Sequence, residues 1–138
     1  FERLGDELVW SGTLFEEALS VRARQQIGKD WRYSLEGGWR AFPVHALHPY
    51  GADGRSIRAL LDGGFVFQGN WREGLSSLHG RATAERFSFN WGEYTLQNPR
   101  PWTVDVMGGS GEASDLQLSG SGMSFTGGLE WDGLGLKA

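Results

Sequence analysis

The sequence predicts a mainly β chain, a largely antiparallel meander of short strands, and three observations carry that expectation. Apolar and polar residues alternate with period two along most of the 138 residues. Glycine (22), phenylalanine (8) and tryptophan (7) are abundant, which suits pleated, half-buried strands joined by tight turns. No strand-then-helix repeat is visible, so a parallel α/β sheet is not expected.

The elements follow in order. Leu8, Trp10, Gly12 and Leu14 share one side of a first strand, with Val9, Ser11 and Thr13 opposite. Leu19, Val21 and Ala23 alternate with Ser20, Arg22 and Arg24. The turn Gly28-Lys29-Asp30 leads into Trp31, Tyr33 and Leu35, and Gly37-Gly38 interrupts before Trp39. From Phe42 the pattern changes. Residues 43–49, bounded by prolines, suit one helical turn. The stretch 53–61 admits two readings: a short helix capped by Asp53 with Ile57, Leu60 and Leu61 at helical spacing, or the start of a strand in which Ile57, Ala59 and Leu61 alternate. Its first part is expected to be helical.

Strands then resume. Phe65, Phe67, Gly69 and Trp71 face one way and Val66, Gln68 and Asn70 the other. Gly80, Ala82 and Ala84 share a side, after which the apolar parity slips to Phe87, Phe89 and Trp91. A one-residue slip predicts a β-bulge near Glu85-Arg86. Tyr94 and Leu96 follow, and Asn98-Pro99-Arg100-Pro101 marks a break. Trp102, Val104 and Val106 form the next strand, with Gly109-Ser110-Gly111 read as a turn. Leu116 and Leu118 form another strand, and Gly120-Ser121-Gly122 another turn. Met123, Phe125, Gly127, Leu129 and Trp131 close the series. About ten strands result, each with a wet and a dry side. A sandwich, a barrel and an open folded sheet all satisfy this spacing.

Composition bounds the function. One domain over 1–138 is expected. A net charge of −4, with 13 basic residues scattered among 17 acidic ones, gives no basic surface for nucleic acid. Without cysteine there is neither disulfide nor thiolate chemistry. No apolar run of about 18 residues exists to span a membrane as a helix. The opening Phe1 and the strand-like Gly133 to Ala138 suggest an excerpt of a longer repetitive sheet.

Catalytic sets are not nominated. His45 and His48 lie three apart, but only Asp53 or the distant His79 is on offer as a third metal ligand. No Gly-x-Ser-x-Gly elbow joins a strand to a helix. Glu16 and Glu17 are adjacent at a turn and point apart, unlike glycosidase carboxylates facing across a cleft. Gly108-Gly109-Ser110-Gly111 lacks the Lys-Ser/Thr of a phosphate loop. No enzyme and no cofactor are expected. The aromatic residues carry the content: they are spread along every strand, as if lining one continuous dry face. The residues expected there are Leu8 and Trp10; Phe65, Phe67 and Trp71; Phe87, Phe89 and Trp91; Tyr94 and Leu96; Trp102 and Val104; Leu116 and Leu118; and Phe125 and Leu129. The competing expectation is an independent β-sandwich that binds carbohydrate or another small ligand through a tryptophan-rich surface.

Between Leu61 and Gly120 a set of phrases occurs in a fixed order. A strand ends in Gly (Phe65 to Gly69), and a second ends in Phe87-Ser88-Phe89. Tyr94-Thr95-Leu96-Gln97-Asn98-Pro99-Arg100-Pro101 follows, then Gly108-Gly109, then Leu116-Gln117-Leu118-Ser119-Gly120. This order, with Trp39 to Val44 as a linking segment, resembles one repeat of the TamB-type translocation and assembly module proteins, relatives of the AsmA-like and bridge-like lipid transfer proteins. The resemblance implies an open sheet folded along its axis into a trough, a "β-taco" with an apolar concave face. It further implies a parent anchored in the inner membrane of a diderm bacterium and reaching through the periplasm. The implied partners are phospholipid acyl chains, and an outer-membrane barrel or nascent outer-membrane proteins.

Overall fold

The computed structural model describes residues 2–28, 31–44, 57–132 and 135–137. They form eleven strands: β1 (Glu2–Leu4), β2 (Glu7–Leu14), β3 (Leu19–Gln26), β4 (Arg32–Pro43), β5 (Ile57–Asn70), β6 (His79–Trp91), β7 (Tyr94–Gln97), β8 (Trp102–Met107), β9 (Ser110–Gly120), β10 (Met123–Asp132) and β11 (Gly135–Lys137). All belong to one antiparallel sheet in which chain neighbours pair. The exception is the short pair β7 and β8, which share the space between β6 and β9. Among the described residues there is no second sheet, and β1 and β11 do not pair. The sheet is therefore neither a sandwich nor a closed barrel, and it stays open.

Several expectations need correction. Gly37-Gly38 does not interrupt β4, which runs through both to Pro43. The missing side chains make room instead: a Cβ on Gly37 would collide with the Phe65 ring and Ser20 O. Ile57 to Leu61 is strand, the alternating reading of that stretch. Ser110 and Gly111 open β9 and leave only Gly108-Gly109 as the turn. A 3-10 turn at Gly74–Ser77, which apolar patterning did not mark, joins β5 to β6. The helical turn expected over 43–49 does not begin at Pro43, which is the last residue of β4, and its residues 45–49, with His45 and His48, lie outside the described residues, as do the Asp53 cap, Lys29 and Asp30.

The expected bulge is present. Asp62 pairs with Arg86 and Gly63 with Ala84, which leaves Glu85 as the extra residue. It is one of a row. The β4–β5 register shifts between Trp39 and Phe42, with Ala41 at φ 48° and its N–H donating to Asp62 Oδ1 at 2.8 Å. Beside Glu85 comes the break between β7 and β8. Beyond it β9 bends at Asp115 (φ 54°), opposite the β10 shift between Gly127 and Leu129. Bulges kink a strand and raise its twist. Register aligns them across β4 to β10 in a line at right angles to the strands, the line along which the sheet can crease.

The break is closed by one side chain. Pro99 and Pro101 have no N–H to offer the ladder, and Asn98 supplies what the backbone lacks. Its Oδ1 accepts the Phe87 N–H at 2.6 Å, and its amide donates to Arg100 O at 2.9 Å and to Ala84 O and Glu85 O at 3.3 Å each. The Trp102 indole ties the far side by donating to Gln117 O at 3.0 Å.

Candidate functional site

Register assigns every side chain to a face, because directly opposed residues project to the same side. Across β2 to β4 one face carries Leu8/Gln25/Tyr33, Trp10/Ala23/Leu35 and Leu14/Leu19/Trp39. Across β5, β6 and β8 it carries Phe65/Ala82/Val104, then Leu61/Phe87 and Ala59/Phe89. Tyr94 and Leu96 join through Trp91 and Phe89, and Trp102 through Ala84. On β9 and β10 come Leu118/Phe125, Leu116/Gly127 and Ala113/Leu129. Trp71 lies just past β5, with its ring 4.5 Å from that of Tyr33. All the residues singled out from alternation thus share one face. From β2 to β10 the described positions of that face include no charged residue, and Gln25 is its one side-chain amide.

The face is paved rather than studded. Phe65 lies opposite Gly37, Tyr33 opposite Gly69, Phe67 opposite Gly80 and Trp131 opposite Gly111. In each pair a Cβ on the glycine would run into the partner's ring. The rings therefore recline over their glycines, the cross-strand arrangement that compensates glycine in a strand. Neighbouring rings continue the pavement: Trp39–Phe65 at 5.0 Å, Phe65–Phe67 at 5.8 Å and, across the crease, Phe87–Trp102 at 5.2 Å. Alternation predicted the aromatic positions, whereas the paired glycines could be found only from the register.

Nothing in the described residues covers this face. Its rings remain substantially open, with Trp71 54% and Phe125 55% exposed. The buried apolar side chains are few and mostly small: Val9, Ala23, Phe42, Ala59, Leu96 and Ala113. The whole chain exposes 9628 Å², against roughly 7100 Å² for a compact fold of this mass. An excess of that size fits a single-layer sheet.

The other face is polar. Arg22 faces Glu36, Asp62 faces Arg86 and Arg81 faces Asp105. The Arg81–Asp105 pair is bidentate at 2.6 and 3.1 Å, and that hydrogen bond and the charge of Asp105 raise the Arg81 pKa above its ordinary value. His79 places Nδ1 3.0 Å from Ser77 O. Among the described residues no three His, Asp or Glu side chains are grouped to hold a metal ion. Glu16 and Glu17 sit in the β2–β3 turn, both in left-handed conformation. The apolar face is thus the extended feature able to hold a ligand, by dispersion and water release rather than directional bonds.

Comparison with known proteins returns no match: no family model, no curated protein and no solved structure corresponds to this chain.

Proposed function

We propose that the chain is a segment of a periplasmic hydrophobic trough that carries phospholipid acyl chains between the inner and outer membranes, contributes to outer-membrane protein assembly, or both, within a TamB-type parent. One observation supports this reading: a continuous, charge-free apolar face on an open single-layer sheet. In the proposal the crease folds that face inward, so that acyl chains lie along it across the strands. Each methylene withdrawn from water there contributes about 0.8 kcal/mol. Such binding selects for hydrocarbon without a directional group, which suits a conduit along which a chain must also move. The reading includes no catalytic step and no cofactor.

The test is site-specific photo-crosslinking in the parent protein within cells. A photoreactive residue at Phe67, Phe89 or Leu118, all on the apolar face, is expected to give lipid adducts, and one at Gln68 or Ser88 on the polar face is not. Adducts at the polar positions alone would refute the proposal.

A further inference from the structure

We infer that the sheet works as a clasp: its two halves close about the crease line over a hydrocarbon chain, so that the margins of the apolar face meet. The inference rests on the trough reading and adds to it a second state, favoured by the ligand. Three observations carry it. The first is that the halves match. On β6, six residues precede Glu85 (79–84) and six follow it (86–91). On β9, five lie on each side of Asp115. β10 divides into five and four about Gly128, and β5 into six and eight between Asp62 and Gly63. Halves of similar length meet margin to margin when they turn about the line between them, and each half of β6 is roughly 20 Å deep.

The second observation is the chemistry of the margins, each of which carries exposed rings on the apolar face. On one margin Trp71 packs on Tyr33. On the other Trp91 and Tyr94 lie 6.2 Å apart, and Met123 follows at the start of β10. Leu75, in the 3-10 turn at the first margin, is 73% exposed. Strand ends and turns are ordinarily polar, and apolar groups on both margins leave water together only when one margin covers the other. The third observation is size. At matched depth from the crease line, Phe65 stands against Ala59 on β5, and Ala82 against Phe89 on β6. A large side chain on one half thus meets a small one on the other, the alternation that lets two layers approach evenly.

Hydrocarbon supplies the bias between the two states. A chain on the open sheet is covered from one side, whereas between the halves it is covered from both. The closed state therefore binds it more tightly, and a difference in affinity of this kind is what shifts a conformational equilibrium.

The test is a distance measured between spin labels with and without dodecyl maltoside below its micellar concentration. The chain has no cysteine, so Glu73→Cys/Glu93→Cys takes nitroxides at those two positions alone. Both glutamates are exposed, and they lie beyond opposite ends of β6, a strand of 13 residues. A flat sheet holds them about 40 Å apart, and stacked sheets lie only about 10 Å apart. The detergent is expected to shorten the distance toward the lower figure. Glu73→Cys/Glu112→Cys, with both labels on one half, should keep its distance. Tryptophan emission reports whether the detergent binds at all. A blue shift with an unchanged Glu73–Glu93 distance overturns the clasp and leaves the trough reading standing. Neither a shift nor a shortening overturns both. A distance already short without detergent, or an equal shortening of the control pair, also overturns the inference, since closure is then independent of hydrocarbon or is a general collapse.

Discussion

Replacing Asn98 with alanine tests whether one side chain holds the crease at the β7–β8 break. The substitution removes an acceptor 2.6 Å from the Phe87 N–H and a donor 2.9 Å from Arg100 O, and with them the longer contacts to Ala84 O and Glu85 O. Two bonds of good length contribute about 1 kcal/mol each, and leaving the partly buried Phe87 N–H unpaired adds a desolvation cost, for about 2–3 kcal/mol in all. The Asn98 backbone N–H to Phe87 O contact, 3.2 Å, is all that then joins the two strands there. The loss should be local. Native-state hydrogen exchange at Phe87 is expected to accelerate by about thirty- to 150-fold, as 2–3 kcal/mol dictates, while exchange at Phe67, in the regular β4–β5 ladder, stays unchanged. Trp102 fluorescence should shift too, because its ring packs on Phe87 across the same break. If Phe87 exchanges within threefold of the parent rate, the pairing at the break does not depend on Asn98, and the account of the crease fails.

Two further perturbations probe the sheet. Gly63 has φ 153°, and a Cβ there would collide with Thr83 O, so Gly63→Ala should cost at least about 3 kcal/mol, read as a lowered urea midpoint. An unchanged midpoint would mean that the strands can move apart at the crease. Arg81→Ala breaks an exposed bidentate pair, and the urea midpoint should be nearly unchanged, with any difference vanishing at 1 M salt. The Arg81 pKa is raised in the folded chain, so its contribution is complete below the ordinary arginine range and fades only as pH rises through the folded value. Stability between pH 6 and 9 should therefore show no dependence on Arg81, and a pH slope that disappears in Arg81→Ala would contradict that.

Much of this architecture was legible because a sheet with one dry face writes its period directly into the sequence. Each strand with strict alternation kept its expected face, and the parity slip between Ala84 and Phe87 located the bulge at Glu85. The errors share a physical cause. Glycine pairs read as punctuation, since glycine usually marks turns, yet Gly37 and Gly38 lie in mid-strand, and at Gly37 the Phe65 ring and Ser20 O exclude a side chain. That constraint comes from the partner strand and is invisible locally. The 3-10 turn at Gly74–Ser77 is held by hydroxyl-to-backbone bonds, Ser76 to Glu73 O and Ser77 to Gly74 O, not by apolar spacing, so periodicity had no hold on it. The row of Asp105, Glu112 and Glu130 on the polar face likewise exists only in the register. In sequence these are three scattered carboxylates.

A single layer with one apolar face has a thermodynamic consequence that separates it from a compact domain. The unfolded chain of this mass exposes roughly 22,000 Å², and a compact fold would leave about 7100 Å². This chain retains 9628 Å², so unfolding exposes about one-sixth less new surface. Urea m-values scale with that change, and the m-value should lie about one-sixth below that expected for a compact fold of this length. The face should also respond to hydrocarbon. A ligand that binds the folded sheet alone at a hundredfold over its Kd stabilises it by about 2.7 kcal/mol. Dodecyl maltoside below its micellar concentration should therefore raise the urea midpoint. Phe67→Asp and Phe89→Asp, which place a charge on the pavement, should abolish the rise, whereas Gln68→Asp on the polar face should leave it intact. A midpoint insensitive to detergent, with an m-value of ordinary size, would mean that the apolar face is covered in solution by the chain itself.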